Sequence, residues 1–101
     1  MVIPGEIREL LWDYDLDRLE DDAGLENAVI ERVMQRGSWN QMRWLLKTIE
    51  RPRLRVFLED RGHRKLAPRE LGFWALVSGV PAKTRDDWVD LARARELEWR
   101  G

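Results

Sequence analysis

Apolar residues recur along this chain at spacings of three and four, and no Val, Ile or Thr-rich run alternates with the period of two that marks a strand. Ile7, Leu10 and Leu11 predict a short helix over 6–12, with Pro4 suited to its first turn. Asp13 and Asp15 stand where they can cap a further turn through Leu16 and Leu19, because an aspartate oxygen accepts from the free amides of a helix start. Leu25, Ala28, Val29, Val33 and Met34 or Ile30 share one face and predict a helix over 24–36, closed by Gly37 as a left-handed terminus. Ser38 and Gln41 have capping-box spacing and open a helix whose apolar stripe is Met42, Leu45, Leu46 and Ile49. Arg51-Pro52 ends it, since a residue before proline avoids the α region.

Pro52 then suits the first turn of a fourth helix carrying Leu54, Val56, Phe57 and Leu58 as far as Arg61-Gly62. A fifth opens at Leu66-Ala67-Pro68, turns Leu71, Trp74, Ala75 and Val77 or Ser78 inward, and stops at Gly79 ahead of Pro81. Thr84-Arg85-Asp86-Asp87 has the form of a weaker capping box, and Trp88, Leu91, Ala92, Arg95 and Trp99 trace a C-terminal helix over 84–99. The expected fold is all-α: a compact bundle of five to six short helices forming a single domain over residues 1–101, without internal repeats.

Composition narrows the chemistry. A chain of 101 residues with 44% apolar and 37% charged residues supports one small core under a densely charged surface. Cysteine is absent, which removes disulfides, thiolate catalysis and cysteine-based zinc sites together. Met1 to Glu6 lacks a basic region followed by an apolar stretch, and no apolar run reaches the roughly 20 residues that span a bilayer, so a cytoplasmic location away from membranes is expected. His63 is the single histidine and reads as a loop residue. The acidic run Asp13, Asp15, Asp17, Glu20, Asp21 and Asp22 lacks the spacing, glycine and terminal glutamate of a calcium loop, and helix capping accounts for it more simply. Glycines stand singly, and no hydroxyl has a histidine or lysine at motif spacing. Neither enzymatic activity nor a cofactor is expected.

The net charge of −1 conceals a separation of sign. Residues 1–31 hold ten acids against Arg8 and Arg18, whereas residues 32–69 hold eleven Lys and Arg against Glu50, Glu59 and Asp60. Within the basic block, Arg51, Arg53, Arg55, Arg61, Arg64, Lys65 and Arg69 fall across a helix, a turn and a helix, the layout of a helix-turn-helix DNA reader. Against that use, the second helix is mostly apolar after Glu70 and leaves few polar side chains for base edges. Six tryptophans exceed what a small core needs. Trp12, Trp44, Trp74 and Trp88 fall near apolar faces and are expected inside, while Trp39 and Trp99 are less constrained and suit interface anchors or a homodimer contact.

Three blocks stand out in order: Leu11-Trp12-Asp13-Tyr14-Asp15, then Ile30-Glu31-Arg32-Val33-Met34-Gln35-Arg36-Gly37 with Trp44-Leu45, and finally Phe73-Trp74-Ala75-Leu76. In these residues the chain resembles a family of small bacterial and archaeal proteins of otherwise undefined function, over about residues 4–81, with 84–101 as an added helix. Leu11 stands where many of those relatives have Phe. Members are often encoded beside an AbiEii-type nucleotidyltransferase toxin, so the resemblance implies an antitoxin that binds and neutralises such a partner by protein contact. An acidic surface of Asp13, Asp15, Asp17, Asp21 and Asp22, with Trp39 and Trp99, would complement the basic nucleotide-binding groups of that partner. The alternatives are a DNA-binding regulator using the basic segment, or an interaction domain of another kind.

Overall fold

The computed structural model describes the backbone over residues 2–14 and 22–100 and side chains over 2–14 and 24–98, and among the described residues six α-helices and two 3-10 turns follow one another. The fold is all-α, with no strand among the described residues. The chain divides into two compact units, Met1–Thr48 and Ile49–Gly101.

The first unit opens with α1 (Gly5–Arg8), whose start is set by the extended backbone of Pro4, φ −61° and ψ 156°. The Pro4 carbonyl accepts from the amides of Ile7 and Arg8, both at 3.0 Å. The helix tightens at once into a 3-10 turn, Glu9–Leu11, and buries Ile7 and Leu11. The expected turn through Leu16 and Leu19, with its Asp15 cap, lies outside the described residues.

Helix α2 (Asp22–Arg36) buries Ala28, Val29, Ile30, Val33 and Met34, so both Ile30 and Met34 turn inward. Gly37 follows it without a left-handed backbone; among the described residues only Gly79 has a positive φ. Its amide donates to the Val33 carbonyl at 2.8 Å, and a Cβ there would stand 2.5 Å from that oxygen. Glycine is needed at this position for space.

Helix α3 (Trp39–Thr48) begins with the expected capping box: the Ser38 amide donates to Gln41 Oε1 at 2.7 Å, and the Gln41 amide to Ser38 Oγ at 3.3 Å. Gln41 Nε2 also donates to the Glu6 carbonyl at 2.7 Å, tying the start of α3 to α1. Leu45 is buried, and Met42, Trp44 and Leu46 are half-buried.

In the second unit the chain breaks at Glu50, whose ψ of 145° is extended, so Arg51 opens α4 (Arg51–Asp60) and does not close α3. Leu54, Phe57 and Leu58 are buried. Val56, expected to join them, is exposed, because two residues along a helix carry it about 200° around from Leu54. A 3-10 turn, Gly62–Arg64, leads to α5 (Pro68–Val77), which buries Leu71, Trp74 and Ala75. Ser78 also turns inward, while Val77 is half-buried.

Helix α5 ends in a Schellman motif. Gly79, at φ 79°, donates to the Leu76 carbonyl at 3.3 Å, and Val80 donates to the Ala75 carbonyl at 3.0 Å and is buried. Helix α6 (Ala82–Arg100) starts directly after Pro81, two residues ahead of the expected cap, so Thr84 lies inside its first turn and caps nothing. The Pro81 carbonyl takes the Arg85 amide at 2.9 Å in that role. Helix α6 packs on α5 and on the Gly62–Arg64 turn. Ala92 is buried and Trp88 and Arg95 are half-buried, but Leu91, expected inward, is exposed together with Leu97.

Two glycines therefore act through different physics. Gly79→Ala forces a left-handed backbone on a side chain and is expected to cost about 1–2 kcal/mol. Gly37→Ala places a methyl against a carbonyl oxygen and should cost at least as much. Urea unfolding followed by circular dichroism measures both; midpoints equal to the wild type would contradict these assignments.

Candidate functional site

Arg32 projects from the buried face of α2; the residue is only 8% exposed, and its guanidinium must find acceptors there. It finds them in the segment after α1. Nη1 and Nη2 donate to the two oxygens of Asp13 at 2.8 and 2.9 Å, a fork that matches guanidinium to carboxylate. Nη1 also donates to the Leu10 carbonyl at 3.1 Å, and the guanidinium carbon lies 5.1 Å from the centre of the Tyr14 ring. Nε has no hydrogen-bond partner. Tyr14 in turn donates to Glu31 at 3.4 Å.

The hydrogen bonds from Arg32 hold the Asp13 carboxyl below the usual carboxylate range; its own amide and the charges of Arg32 and Arg36 act in the same direction, and partial desolvation opposes them. The hydrogen bond to Asp13 likewise raises the pKa of Arg32 against its own desolvation.

The blocks around Trp12 and Arg32 are thus the two sides of one joint. Between Leu11, which is buried, and Asp13, which is drawn to Arg32, Trp12 is left 75% exposed and not in the core as expected. Trp39, at the first position of α3, is 66% exposed. Of the other expected binding residues, Asp15, Asp17 and Asp21 lie outside the described residues. Asp22 opens α2 and Trp99 lies in α6, both without described side chains. Among the described residues no three His, Asp or Glu side chains gather as a metal site requires. No described helix is long and apolar enough to cross a membrane.

The basic segment is distributed over several surroundings. Arg51 and Arg69 are exposed, and Arg53 and Lys65 are both engaged with partners. Arg55 pairs with Glu59 at 2.9 Å and Arg61 with Asp60 at 3.4 Å, exposed contacts worth little to stability. Arg64 donates to the Asp60 main-chain carbonyl at 2.6 Å. Helix α5 leaves Arg69 and Leu76 exposed, while Phe73 is half-buried edge-on to Trp74, ring centres 5.2 Å apart.

His63 is more than a loop residue. Its ring stacks on Trp88 at 4.9 Å and 16°, and Nδ1 lies 2.6 Å from the Leu58 carbonyl; since a carbonyl only accepts, Nδ1 carries the proton. Arg95 donates to the His63 carbonyl at 3.0 Å and joins Arg64 and Lys65 around a cleft at the opening of α5. In the sequence Arg95 falls on the inward stripe of the last helix, and nothing in its spacing signals this grouping.

Loss of the Arg32–Asp13 joint should have a pH signature. Because the folded-state pKa of Asp13 is depressed, its stabilising contribution is complete well above the ordinary aspartate value of 3.8 and disappears as the pH falls below that value through the lowered pKa. Asp13→Asn is expected to be less stable than the wild type at pH 7 and to approach it near pH 3. Unfolding curves at the two pH values test this; a gap independent of pH would show that the carboxylate charge is not what matters.

Residues 7–56, just under half of the chain, match the model of a family of unknown function (DUF6922), and over that stretch the chain is similar to it. The match includes Trp12, Asp13, Arg32, Trp39 and Gln41, and ends before the Phe73-Trp74-Ala75 block. No curated protein and no solved structure matches the chain.

Proposed function

We propose that this protein acts by binding and not by catalysis: it is antitoxin-like, docking on a partner toxin through its first unit and neutralising it by occlusion. The observation that carries the reading is the exposure of Trp12 and Trp39, 75% and 66%, in a unit whose neighbouring residues are tied down. A large aromatic ring held in water serves no folding purpose, and tryptophan is among the residues most enriched as interface anchors. Trp12 follows a buried leucine and precedes an aspartate held at both oxygens, so presenting it to a partner loses little further entropy.

The resemblance of the Trp12 and Arg32 blocks points to a nucleotidyltransferase as the toxin. The ten acids of residues 1–31 suit the basic surface such an enzyme presents to nucleotide phosphates. Asp13 contributes little to that field, since Arg32 neutralises it within the unit.

The test is co-expression with an AbiEii-type nucleotidyltransferase from a neighbouring gene, followed by copurification and growth assays. The wild type should copurify and restore growth. Trp12→Ala and Trp39→Ala should fold as the wild type does and weaken the complex by about 30-fold or more each, the scale of an interface anchor. Absence of both complex and rescue, or a complex indifferent to both substitutions, would overturn the reading.

A further inference from the structure

A second feature lies wholly in the second unit, where α6 passes the opening of α5. Arg64 and Lys65 on one side and Arg95 and Glu96 on the other border a cleft of about 470 Å³, with the buried side chains of Leu66 and Ala92 in its lining. Glu96 is the one carboxylate among these lining residues, and Lys65 is already engaged with a partner, so the positive charge left to the cleft is that of Arg64 and Arg95.

The way two of these cations are held separates them from the other arginines. Arg32 and Arg55 donate to carboxylates, which cancel their charge. Arg64 and Arg95 donate instead to main-chain carbonyls, those of Asp60 at 2.6 Å and His63 at 3.0 Å, and these are their only side-chain hydrogen bonds to described residues. A carbonyl orients a guanidinium but leaves its positive charge intact, and one such bond occupies one of five N–H donors. The turn that carries both carbonyl contacts is itself fixed, by the stacking of His63 on Trp88 and its bond to the Leu58 carbonyl. Ordered cations whose charge is left unmatched form a preorganised anion site, since the cost of immobilising them is met in folding.

The dimensions narrow the ligand. The volume falls within the roughly 300–1,000 Å³ of small-molecule sites, far beyond what a bare phosphate fills, and part of the lining is apolar. We propose that this cleft binds a nucleotide through its phosphate, with Arg64 and Arg95 facing the phosphate oxygens and the sugar or base lying over Leu66 and Ala92. A free mononucleotide and a residue within a nucleic-acid strand present the same phosphoester chemistry. Because the cleft and the tryptophans belong to different units, this inference stands or falls separately from the docking reading.

Calorimetric titration of the full chain at low salt with AMP, with adenosine and with an oligonucleotide tests it. AMP should bind saturably, adenosine at least about tenfold more weakly, and AMP affinity should fall with added salt. Binding of the oligonucleotide without AMP supports the site with a strand as its ligand. The double variant Arg64→Gln, Arg95→Gln should lose about tenfold or more for whichever phosphate ligand binds. Glu96→Gln removes the carboxylate from the lining and should tighten binding, a gain that no folding defect can mimic. The proposal is overturned by any of four results: no saturable binding of either phosphate ligand, saturable AMP binding no tighter than that of adenosine, an unaffected double variant, or no gain in Glu96→Gln.

Discussion

A guanidinium buried on the inner face of α2 sets the terms for the first unit. Arg32 cannot be left without acceptors at 8% exposure, and those it uses, the Leu10 carbonyl and both oxygens of Asp13, lie on one short stretch of chain. That stretch is also held at its other end, where Gln41 donates to the Glu6 carbonyl. Residues 6–13 are therefore fastened to α2 at one end and to the start of α3 at the other. Apolar side chains alone would bury Ile7 and Leu11 with some freedom of rotation; two directional polar anchors remove it. The outward position of Trp12 follows from this geometry.

Helix spans were legible in the sequence because their stop and start signals act locally. Ser38 with Gln41, and Gly79 with Val80, form bonds within a few residues of themselves, so composition and spacing suffice to read them. Trp12 was misread because helical periodicity was carried through a segment where the backbone changes pitch. The 3-10 turn at Glu9–Leu11 has about three residues per turn, which shifts the phase of every later side chain. Val56 and Leu91 failed for a related reason: each is apolar beside true core positions, Leu54 and Phe57 or Ala92, but stands on another side of its helix. Thr84 looked like a cap because its hydroxyl was visible in sequence, whereas the Pro81 carbonyl that serves the helix start belongs to every residue type.

The Arg32–Asp13 pair was not legible at all. Nineteen residues separate the partners, and the sequence offers ten acids and two bases before residue 32 with ten more bases over residues 33–69, so charge alone selects no pair. What selects it is burial of one member, a property of the folded chain. The same holds for Arg95, whose role depends on the main-chain oxygen of His63 being within reach, a relation between residues thirty-two apart.

This difference in partners decides where the basic segment retains its charge. Arg55 and Arg61 meet Glu59 and Asp60, two of the three acids in the block of residues 32–69. Once those carboxylates are occupied, Arg64 takes the Asp60 carbonyl in place of a carboxylate. If the segment were only a solvated structural face, ordering a guanidinium on a carbonyl would bring a modest hydrogen bond and keep the repulsion from Lys65 and Arg95 nearby. Holding Arg64 and Arg95 on main-chain carbonyls beside one apolar-lined depression leaves positive potential at a place where an anion also finds hydrocarbon contact. The tryptophans of the first unit and the cations of the second thus reflect one principle: groups the fold has fixed but not satisfied mark where binding is to be sought.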